Sequence, residues 1–462
     1  MSEAYRCERC LGYGPNEPAM ARLAEAHDLI LCVDCGTLSH GPVAAAKGSD
    51  VVILDHHQGG ETLPACAAVV NPNRQDESGD LGHLCAAGVV FLMLVEANRQ
   101  LRAQGRQGPD LMALLDLVAL ATVADVAPLI GVNRALVRQG LAVMARRSRP
   151  GLAALADIAS LGSAPTCHHL GYVLGPRVNA GGRVGEASLG ARLLSTDDPA
   201  EAQALAVRLD RHNGERRGIE AAVQAEAMAQ AEARGWDGPL AWAAGDGWHP
   251  GVVGIVAARL KEAAARPAVV IAFDGAIGKG SARSVAGVDL GSAIQRLAAE
   301  GLLLRGGGHR MAAGLTVERA KLEAAMARLS DLLGRQGAGA GGAADLALDG
   351  VLMPRAASLD LLDGIERAGP FGAGAPAPRF ALPDLAVTFA RTVGTSHLKV
   401  RFDDGMGGRI DAIAFGAAEG PLRVLQPGAG RFHVAGRLEV NHYQGRRSVQ
   451  LMLEDAAPVR RA

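Results

Sequence analysis

The sequence lacks the features of a membrane or secreted protein. Its 462 residues contain no run of ~18 to 20 consecutive apolar residues, the length that crosses a bilayer. Residues 1–7 carry no apolar signal core. We therefore expect a cytoplasmic protein without a membrane-spanning segment.

The sequence also lacks an excess of either charge. The formal net charge is −1, so the surface as a whole does not attract nucleic acid. Any groove that binds such a polyanion must be local, with clustered arginines against an acidic remainder. Hydrophobic residues make up 49% of the chain and charged residues 21%, which are ordinary proportions for globular protein with a large core.

Cysteine is scarce, with seven in the chain, and in a reducing compartment we expect free thiols. Two Cys-x-x-Cys pairs, Cys7–Cys10 and Cys32–Cys35, have the spacing of a four-cysteine zinc site. Cys32 lies in an apolar strand run, where alternation should turn its side chain away from the loop of Cys35. The zinc site is therefore the lesser alternative.

The most informative motif is Asp55-His56-His57, which follows the apolar residues 51–54. Carboxylate and neutral imidazole together suit Mn²⁺, Zn²⁺ or Fe²⁺. For the triplet alone, a pair of surface histidines after a strand explains the pattern equally well, because short motifs match by chance.

Two further acidic residues favour the interpretation as a metal site. Asp34 ends the apolar residues 29–33, and Asp125 follows the apolar residues 118–121 and 123–124. Residues 41–47 read as a short helix between two strands, which is the βαβ unit of a parallel sheet. Ligands of such sheets collect outside the carboxyl ends of the strands. The sequence therefore predicts that one sheet edge, with the following helical region, brings together Asp34, Asp55, His56, His57 and Asp125.

These segments resemble motifs of a known family. Val33-Asp34-Cys35-Gly36, Asp55-His56-His57 and Thr122-Val123-Ala124-Asp125 are similar to the second, third and fourth motifs of the DHH phosphoesterases. Within that group the chain resembles the RecJ family, bacterial exonucleases that degrade single-stranded DNA in the 5′→3′ direction. The resemblance runs from about Leu11 to about Asp455, and its further segments are residues 11–16, 70–73, 175–183, 306–309, 370–374 and 434–438.

The resemblance implies a site that uses Mn²⁺ or Mg²⁺ in pairs. Asp34 would bridge two metal ions, and His56 and Asp125 would complete one of the two sites. Asp55 would orient a ligand, and His57 would face the phosphate. Asp34, His56, His57 and Asp125 are thus the predicted catalytic residues.

The chain departs from the family at its start. The family's first motif, an Asp-rich strand end with further metal ligands, should lie before Gly12 and has no counterpart in residues 1–10. We therefore expect one metal site to be largely retained and the second to have few ligands. Because two-metal hydrolysis needs both ions, we expect reduced activity of the chain as written.

Other polar groups are candidates for holding DNA. Residues 280–284 offer a hydroxyl and a guanidinium fork for phosphate, and glycines 306–308 allow close approach of a phosphate to the backbone. The predicted substrate-binding residues are Arg177, Asn179, Arg183, Ser281, Arg283 and His309. Trp248 before a helix is a weaker candidate. Solvent exposure explains two further groups equally well, the arginine pair Arg216-Arg217 and the hairpin of His442, Tyr443, Arg446 and Arg447.

Composition and periodicity predict four parts: an α/β domain over residues 1–150 that lacks its first strand, a connector region over 151–235 with a long helix, a second α/β domain over 236–335, and a β-rich domain over 343–462. Five short strands suit an OB-like barrel, and the resemblance supplies the barrel type. Residues 336–342 read as a flexible linker.

The predicted function is metal-dependent 5′→3′ hydrolysis of single-stranded DNA in repair and recombination. The alternatives are a non-catalytic single-strand-binding or scaffolding relative and a DHH oligonucleotide or nucleotide phosphatase, which the extra β domain disfavours. The resemblance implies single-strand-binding protein and a RecQ-type helicase as partners. We expect a monomer.

Overall fold

The structure is a computed structural model that describes residues 14–339, 345–418, 420–443 and 446–459. Cys7, Cys10 and the region before Gly12 lie outside these residues, as does the second half of the 336–342 linker. Among the described residues, no helix is long and apolar enough to cross a membrane.

The first domain contains, among its described residues, a three-stranded parallel sheet in the order β1-β2-β3. Burial alternates along β1 and β2. The buried side chains of Ile30, Cys32, Val51 and Ile53 pack with Met20 of α1. Strands β1 and β2 end in register, with Val33 opposite Leu54. The elements are α1 (Glu17–Ala26), β1 (Leu29–Val33), α2 (His40–Ala45), β2 (Asp50–Leu54) and β3 (Ala68–Val70).

A helical layer follows. Its core is a cluster of fully buried leucines, among them Leu155, Leu189 and Leu209, which pack helices from residue 115 to residue 209 together. A π-helical turn over His169–Leu174 leads into the segment that carries Arg177. The helices are α3 (Ala86–Ala103), α4 (Leu115–Ala124), α5 (Gly131–Met144), α6 (Pro150–Ile158), α7 (Gly175–Val184) and α8 (Ser188–Ser195).

The predicted connector helix is present as α9, Pro199–Arg234. Asp198 caps it, since its side chain accepts a hydrogen bond from the Ala200 amide at 2.8 Å, and Pro199 occupies the first turn. Its first half packs in the leucine cluster through Leu205 and Leu209, and its second half packs on the next domain through Val223. The helix therefore joins the two α/β domains.

The second α/β domain has a five-stranded mixed sheet in the order β4-β5-β6-β8-β7. Strand β5 is central and buried on both faces, as its continuous apolar run predicts. The elements are β4 (Ala241–Asp246), α10 (Val253–Ala264), β5 (Ala268–Asp274), β6 (Ile277–Arg283), α11 (Leu290–Ala299), β7 (Arg305–Gly308), β8 (Ala312–Glu318) and α12 (Leu322–Gly334).

The C-terminal domain is a closed five-stranded barrel. Strands β11, β12, β14, β13 and β10 are neighbours in that order, and pairing of β10 with β11 closes the circle. Phe402 and Val400 are fully buried at its centre. The elements are β9 (Gly350–Val351), α13 (Leu359–Ala368), β10 (Arg379–Val393), β11 (His397–Asp403), β12 (Arg409–Ala414), β13 (Arg431–Tyr443) and β14 (Arg446–Pro458). The predicted fold class is confirmed.

Candidate metal centre

Three polar residues meet where the elements of the first domain end. Asp34 follows β1 with φ 62°, and its amide donates to the Leu54 carbonyl at 3.0 Å, which fixes it at the edge of the sheet. His56 follows β2 by one residue. Asp125 is the residue that ends α4. The parallel register of β1 and β2 therefore sets Asp34 beside His56, and α4 brings in Asp125 from a third direction.

His56 is the centre of this group. Its Nε2 lies 3.2 Å from Oδ1 of Asp34 and 3.6 Å from Oδ2 of Asp125. Its Nδ1 lies 3.1 Å from the Leu84 carbonyl, which can only accept a hydrogen bond. The Nδ1 atom therefore carries the proton in the neutral ring, and the Nε2 lone pair points between the two carboxylates.

The charged groups of this cluster shift one another's pKa values. The hydrogen bond with Asp34 raises the pKa of His56. Burial raises the pKa of Asp125, and the Asp34 carboxylate raises it further. When a cation displaces the Nε2 proton of His56, two carboxylates and one neutral imidazole form a ligand set that suits Mn²⁺ or Mg²⁺ with added water. The residues present therefore fit a divalent cation.

His57 belongs to the same cluster but is oriented differently. One ligand atom from each of Asp34, His56 and His57 lies within 4.8 Å of the others. The Nδ1 of His57, however, is hydrogen bonded to Oδ1 of Asp55 at 2.7 Å. Its remaining Nε2 is the atom that faces outwards. We therefore take Asp125, and not His57, as the third partner of Asp34 and His56.

Asp55 is the buried support of the site, with 1% of its surface exposed. Its Oδ1 accepts from the amide of His56 at 2.8 Å as well as from the His57 ring, and its Oδ2 accepts from the Thr37 hydroxyl at 2.7 Å. The bonds from His57 and Thr37 outweigh burial and hold the pKa of Asp55 well below its usual range. Asp55 is thus a fixed anion that orients His57.

Two asparagines that the sequence analysis gave no role complete this support. Asn71 donates to the Thr37 hydroxyl and to the His57 carbonyl, both at 2.8 Å. Asn73 donates to the His56 carbonyl at 2.6 Å. The pattern Asn71-Pro72-Asn73 directly after β3 was the available signal, because polar residues at the carboxyl end of a parallel strand lie at the ligand edge.

The second α/β domain reaches the site through His309. Its ring stacks on that of His57 with centroids 6.1 Å apart and an interplanar angle of 19°. Gly306, Gly307 and Gly308 before it form strand β7, at an edge of the sheet, rather than a loop around a ligand. Burial and the nearby His57 lower the pKa of His309.

A second polar group lies at the N-terminus of α10. Arg283 donates from Nη1 to the Ser281 hydroxyl at 2.9 Å, and both side chains approach the position of Gly254, where a Cβ would lie 3.1 Å from each. Arg183 donates to the Gly251 carbonyl at 2.9 Å, one turn earlier. Two guanidinium groups and a hydroxyl beside a helix N-terminus are chemically suited to an anion.

The other predicted substrate contacts are placed less favourably. Arg177 is tied to Asp210 of α9 at 2.9 Å and to the Val173 carbonyl at 2.8 Å, so the interface of α7 and α9 uses much of its hydrogen-bonding capacity. Asn179 is exposed on α7. Both remain predictions, and Arg177 has a structural use that the sequence did not reveal.

Several weaker candidates are part of the packing. Trp248 is buried at 6% exposure and donates to Glu226, so core packing accounts for its side chain. Arg216 is buried and paired with Glu220, whereas Arg217 is exposed. In the β13–β14 hairpin, Arg447 is exposed and lies 3.3 Å from Asp363, and the side chains of His442 and Tyr443 lie outside the described residues.

The cysteines near the site differ from expectation in one respect. Cys32 is buried in β1, and a hydrogen bond with Cys35 lowers the pKa of its thiol. The two side chains therefore approach each other, and the expectation that they point apart is wrong. The described cysteines are free thiols, and the other pair of the zinc alternative lies outside the described residues.

Comparison with known protein families identifies the domains of this chain. Residues 3–122 match the family described as DHH family, N-terminal domain, and residues 237–335 match the DHHA1 domain, so the fold and site define a DHH-type protein. Residues 348–455 match the RecJ OB domain. The chain belongs to the RecJ family.

The relatives support this membership. The "Single-stranded-DNA-specific exonuclease RecJ" of Dickeya dadantii is 39% identical over 97% of this chain and 81% of its own length. The protein of the same name from Escherichia coli is 37% identical over 97% of this chain and 80% of its own length.

A solved structure agrees with the fold. Thermus thermophilus RecJ in complex with Mn²⁺ superposes with a TM-score of 0.82 at 33% identity, over 96% of this chain and 64% of that one. The same protein has also been solved in complex with Mg²⁺ and superposes with a TM-score of 0.73 at 30% identity, over 96% of this chain and 66% of that one. The chain thus spans less than two thirds of the Thermus chain.

Proposed function

We propose that this protein is a metal-dependent exonuclease that hydrolyses single-stranded DNA from its 5′ end. The observation that carries the proposal is the position of the His56 Nε2 atom, which lies within 4 Å of the carboxylates of both Asp34 and Asp125. The names of the relatives give the substrate, and the Mn²⁺ and Mg²⁺ complexes of the Thermus protein give the kind of ion.

Asp34, His56 and Asp125 would hold Mn²⁺ or Mg²⁺. When bound, such ions polarise water and stabilise the charge that develops on phosphorus oxygens. The protein fixes the positions of the ligand side chains. The Leu84 carbonyl holds the His56 ring, and the hydrogen bond from the Asp34 amide to the Leu54 carbonyl fixes the backbone of Asp34.

His57 would face the scissile phosphate. Asp55 accepts the Nδ1 proton of His57, so the opposite nitrogen is directed outwards, and the negative Asp55 favours the protonated ring. A protonated imidazole donates a strong hydrogen bond to a phosphate oxygen. His309 beside it would add a second hydrogen-bond donor or acceptor from the other domain. The DNA strand would then be contacted from both α/β domains.

Arg183, Ser281 and Arg283 would hold a further phosphate of the strand. They surround the first turn of α10, where backbone amides and the helix dipole favour an anion. Arg177 and Asn179 would line the path between this group and the metal centre. Single-strand-binding protein and a RecQ-type helicase stay predicted partners.

The test is digestion of a 5′-phosphorylated, 3′-labelled single strand with Mn²⁺, with chelator and a blunt duplex as controls. The proposal expects mononucleotides from the 5′ end of the single strand, none with chelator, and little from the duplex. Release of inorganic phosphate alone would instead identify a phosphatase. Binding of the strand without any cleavage would identify the non-catalytic alternative.

A further inference from the structure

Asn133 lies in the first turn of α5 and is completely buried. Its amide group donates one hydrogen bond to the His83 carbonyl at 2.6 Å and one to the Pro128 carbonyl at 3.0 Å. The donors of this one side chain thus join two chain segments that are 45 residues apart. A buried amide that donates to two backbone carbonyls is costly to replace.

Both segments end at the metal centre. His83 directly precedes Leu84, whose carbonyl accepts the hydrogen bond that holds the ring of His56. Pro128 lies three residues after Asp125. Asn133 therefore connects the support of one predicted ligand with the support of another, although it touches neither ligand itself.

The segment after Asp125 needs such support. Val126 has φ 58°, a conformation that is unfavourable for a β-branched residue and persists only where the surroundings impose it. The amide of Ala127 folds back onto the Thr122 carbonyl at 3.0 Å. The hydrogen bond from Asn133 to the Pro128 carbonyl holds the chain directly after this turn, on its inner side.

The barrel domain holds the same segment from the outer side. The Leu129 amide donates to the Ala373 carbonyl at 2.7 Å, and a Cβ at Gly372 would lie 2.8 Å from the Leu129 side chain. This contact gives a use to residues 370–374, a motif that the sequence analysis singled out without a role. The segment between Asp125 and α5 is therefore clamped between Asn133 and the barrel domain.

We propose that Asn133 is a positioning residue of the metal centre that sets the spacing between His56 and Asp125. The inference rests on the proposed function, since it assumes that these residues bind a cation. Loss of the two hydrogen bonds would release the Pro128 and His83 carbonyls, let Val126 relax, and separate Asp125 from the His56 ring. Groups that hydrogen bond a metal ligand directly change metal affinity by about 10- to 100-fold, and for Asn133, which lies one contact further away, we expect the lower end of this range.

Asn98 offers a matched control. It is also a buried asparagine, at 6% exposure, and donates to the Pro109 carbonyl at 2.9 Å in the same domain, but at the far end of α3. Replacing either side chain by alanine leaves a backbone carbonyl without its side-chain donor. A merely structural role therefore predicts the same behaviour for both variants.

The experiment measures Mn²⁺ affinity from the free Mn²⁺ signal in electron paramagnetic resonance, and the thermal midpoint Tm of the metal-free protein. We expect Asn133→Ala and Asn98→Ala both to lower Tm, and only Asn133→Ala to weaken Mn²⁺ binding by about tenfold or more. Asn133→Ser, which keeps one donor, should fall between wild type and Asn133→Ala. This milder variant keeps the test decisive if Asn133→Ala does not fold.

Unchanged Mn²⁺ affinity in folded Asn133→Ala or Asn133→Ser would overturn the inference and leave the proposed function intact. Equal weakening in Asn98→Ala would also overturn it, because the effect would then follow general destabilisation. Absence of Mn²⁺ binding in the wild-type chain would overturn the proposed function itself, and with it this inference.

Discussion

The imidazole rings of His57 and His309 stack across the interface between the two α/β domains, with centroids 6.1 Å apart. Asp55 holds His57 from one side, whereas His309 projects from the end of an edge strand. Because Asp55 raises the pKa of His57 and the neighbouring histidines help to lower that of His309, the pair favours one charged and one neutral ring. Such a pair suits a phosphate oxygen that needs a donor from each domain.

Replacing a predicted metal ligand should abolish catalysis without unfolding the protein. Asp34→Ala or His56→Ala should lower the rate of single-strand digestion by orders of magnitude, since either change removes a ligand from a three-residue set. Tm should change little for Asp34→Ala, because its side chain is 56% exposed. Wild-type turnover of Asp34→Ala at saturating Mn²⁺ would show that the metal assignment is wrong.

Removing His309 should affect the strand and not the metal. His309→Ala should weaken binding of single-stranded DNA and slow its digestion, while Mn²⁺ affinity stays at the wild-type value. His168→Ala is the control, because His168 is an exposed histidine stacked on Tyr172 within the π-helical turn. If both variants digest DNA equally fast, the contact between the domains has no part in substrate binding.

The hydrogen bonds that hold Asp55 should contribute measurably to the free energy of unfolding. Thr37→Val removes the hydroxyl that donates to Asp55 and accepts from Asn71, so it should lower the free energy of unfolding by about 1–3 kcal/mol. Thr37→Ser keeps the hydroxyl and should cost less. Urea unfolding of the two variants checks this. A larger loss for serine than for valine would contradict the hydrogen-bond network.

Binding of single-stranded DNA should depend strongly on salt. Each phosphate neutralised by an arginine contributes a slope of roughly 0.7 in log affinity against log salt. Fluorescence anisotropy with chelator present, at two or more salt concentrations, measures this slope. Arg183→Ala and Arg283→Ala should each reduce it. Salt-independent binding, or equal affinity for a blunt duplex, would assign these arginines to the solvent-exposed surface.

Two glycine substitutions should have opposite effects on stability. A Cβ at Gly140 would lie 2.2 Å from the Leu115 carbonyl oxygen of α4, so Gly140→Ala should cost about 1–3 kcal/mol by forcing α4 and α5 apart. Gly218 lies in the middle of α9 with nothing within 4 Å, so Gly218→Ala should gain about 0.5–1 kcal/mol. Thermal unfolding of the two variants decides whether the α4–α5 crossing is as close as described.

The sequence determined the local structure and the centre of the site. Apolar runs predicted β1 and β2, composition predicted the long connector helix that is α9, and the strand ends predicted that Asp34 and His56 would meet. These features depend on residues close in sequence, where backbone geometry and side-chain alternation leave few choices. The family resemblance added the barrel type, which alternation alone does not specify.

Only the tertiary structure decided which polar residues are supports and which are contacts. Arg177 pairs with Asp210, Arg216 with Glu220 and Trp248 with Glu226, because α9 packs against α7 in one half and against the second domain in the other. Asn133 bridges His83 and Pro128 for the same reason. Except for the i,i+4 pair Arg216–Glu220, these partners are distant in the chain. Their meeting depends on how the helices pack, which no local pattern of the sequence encodes.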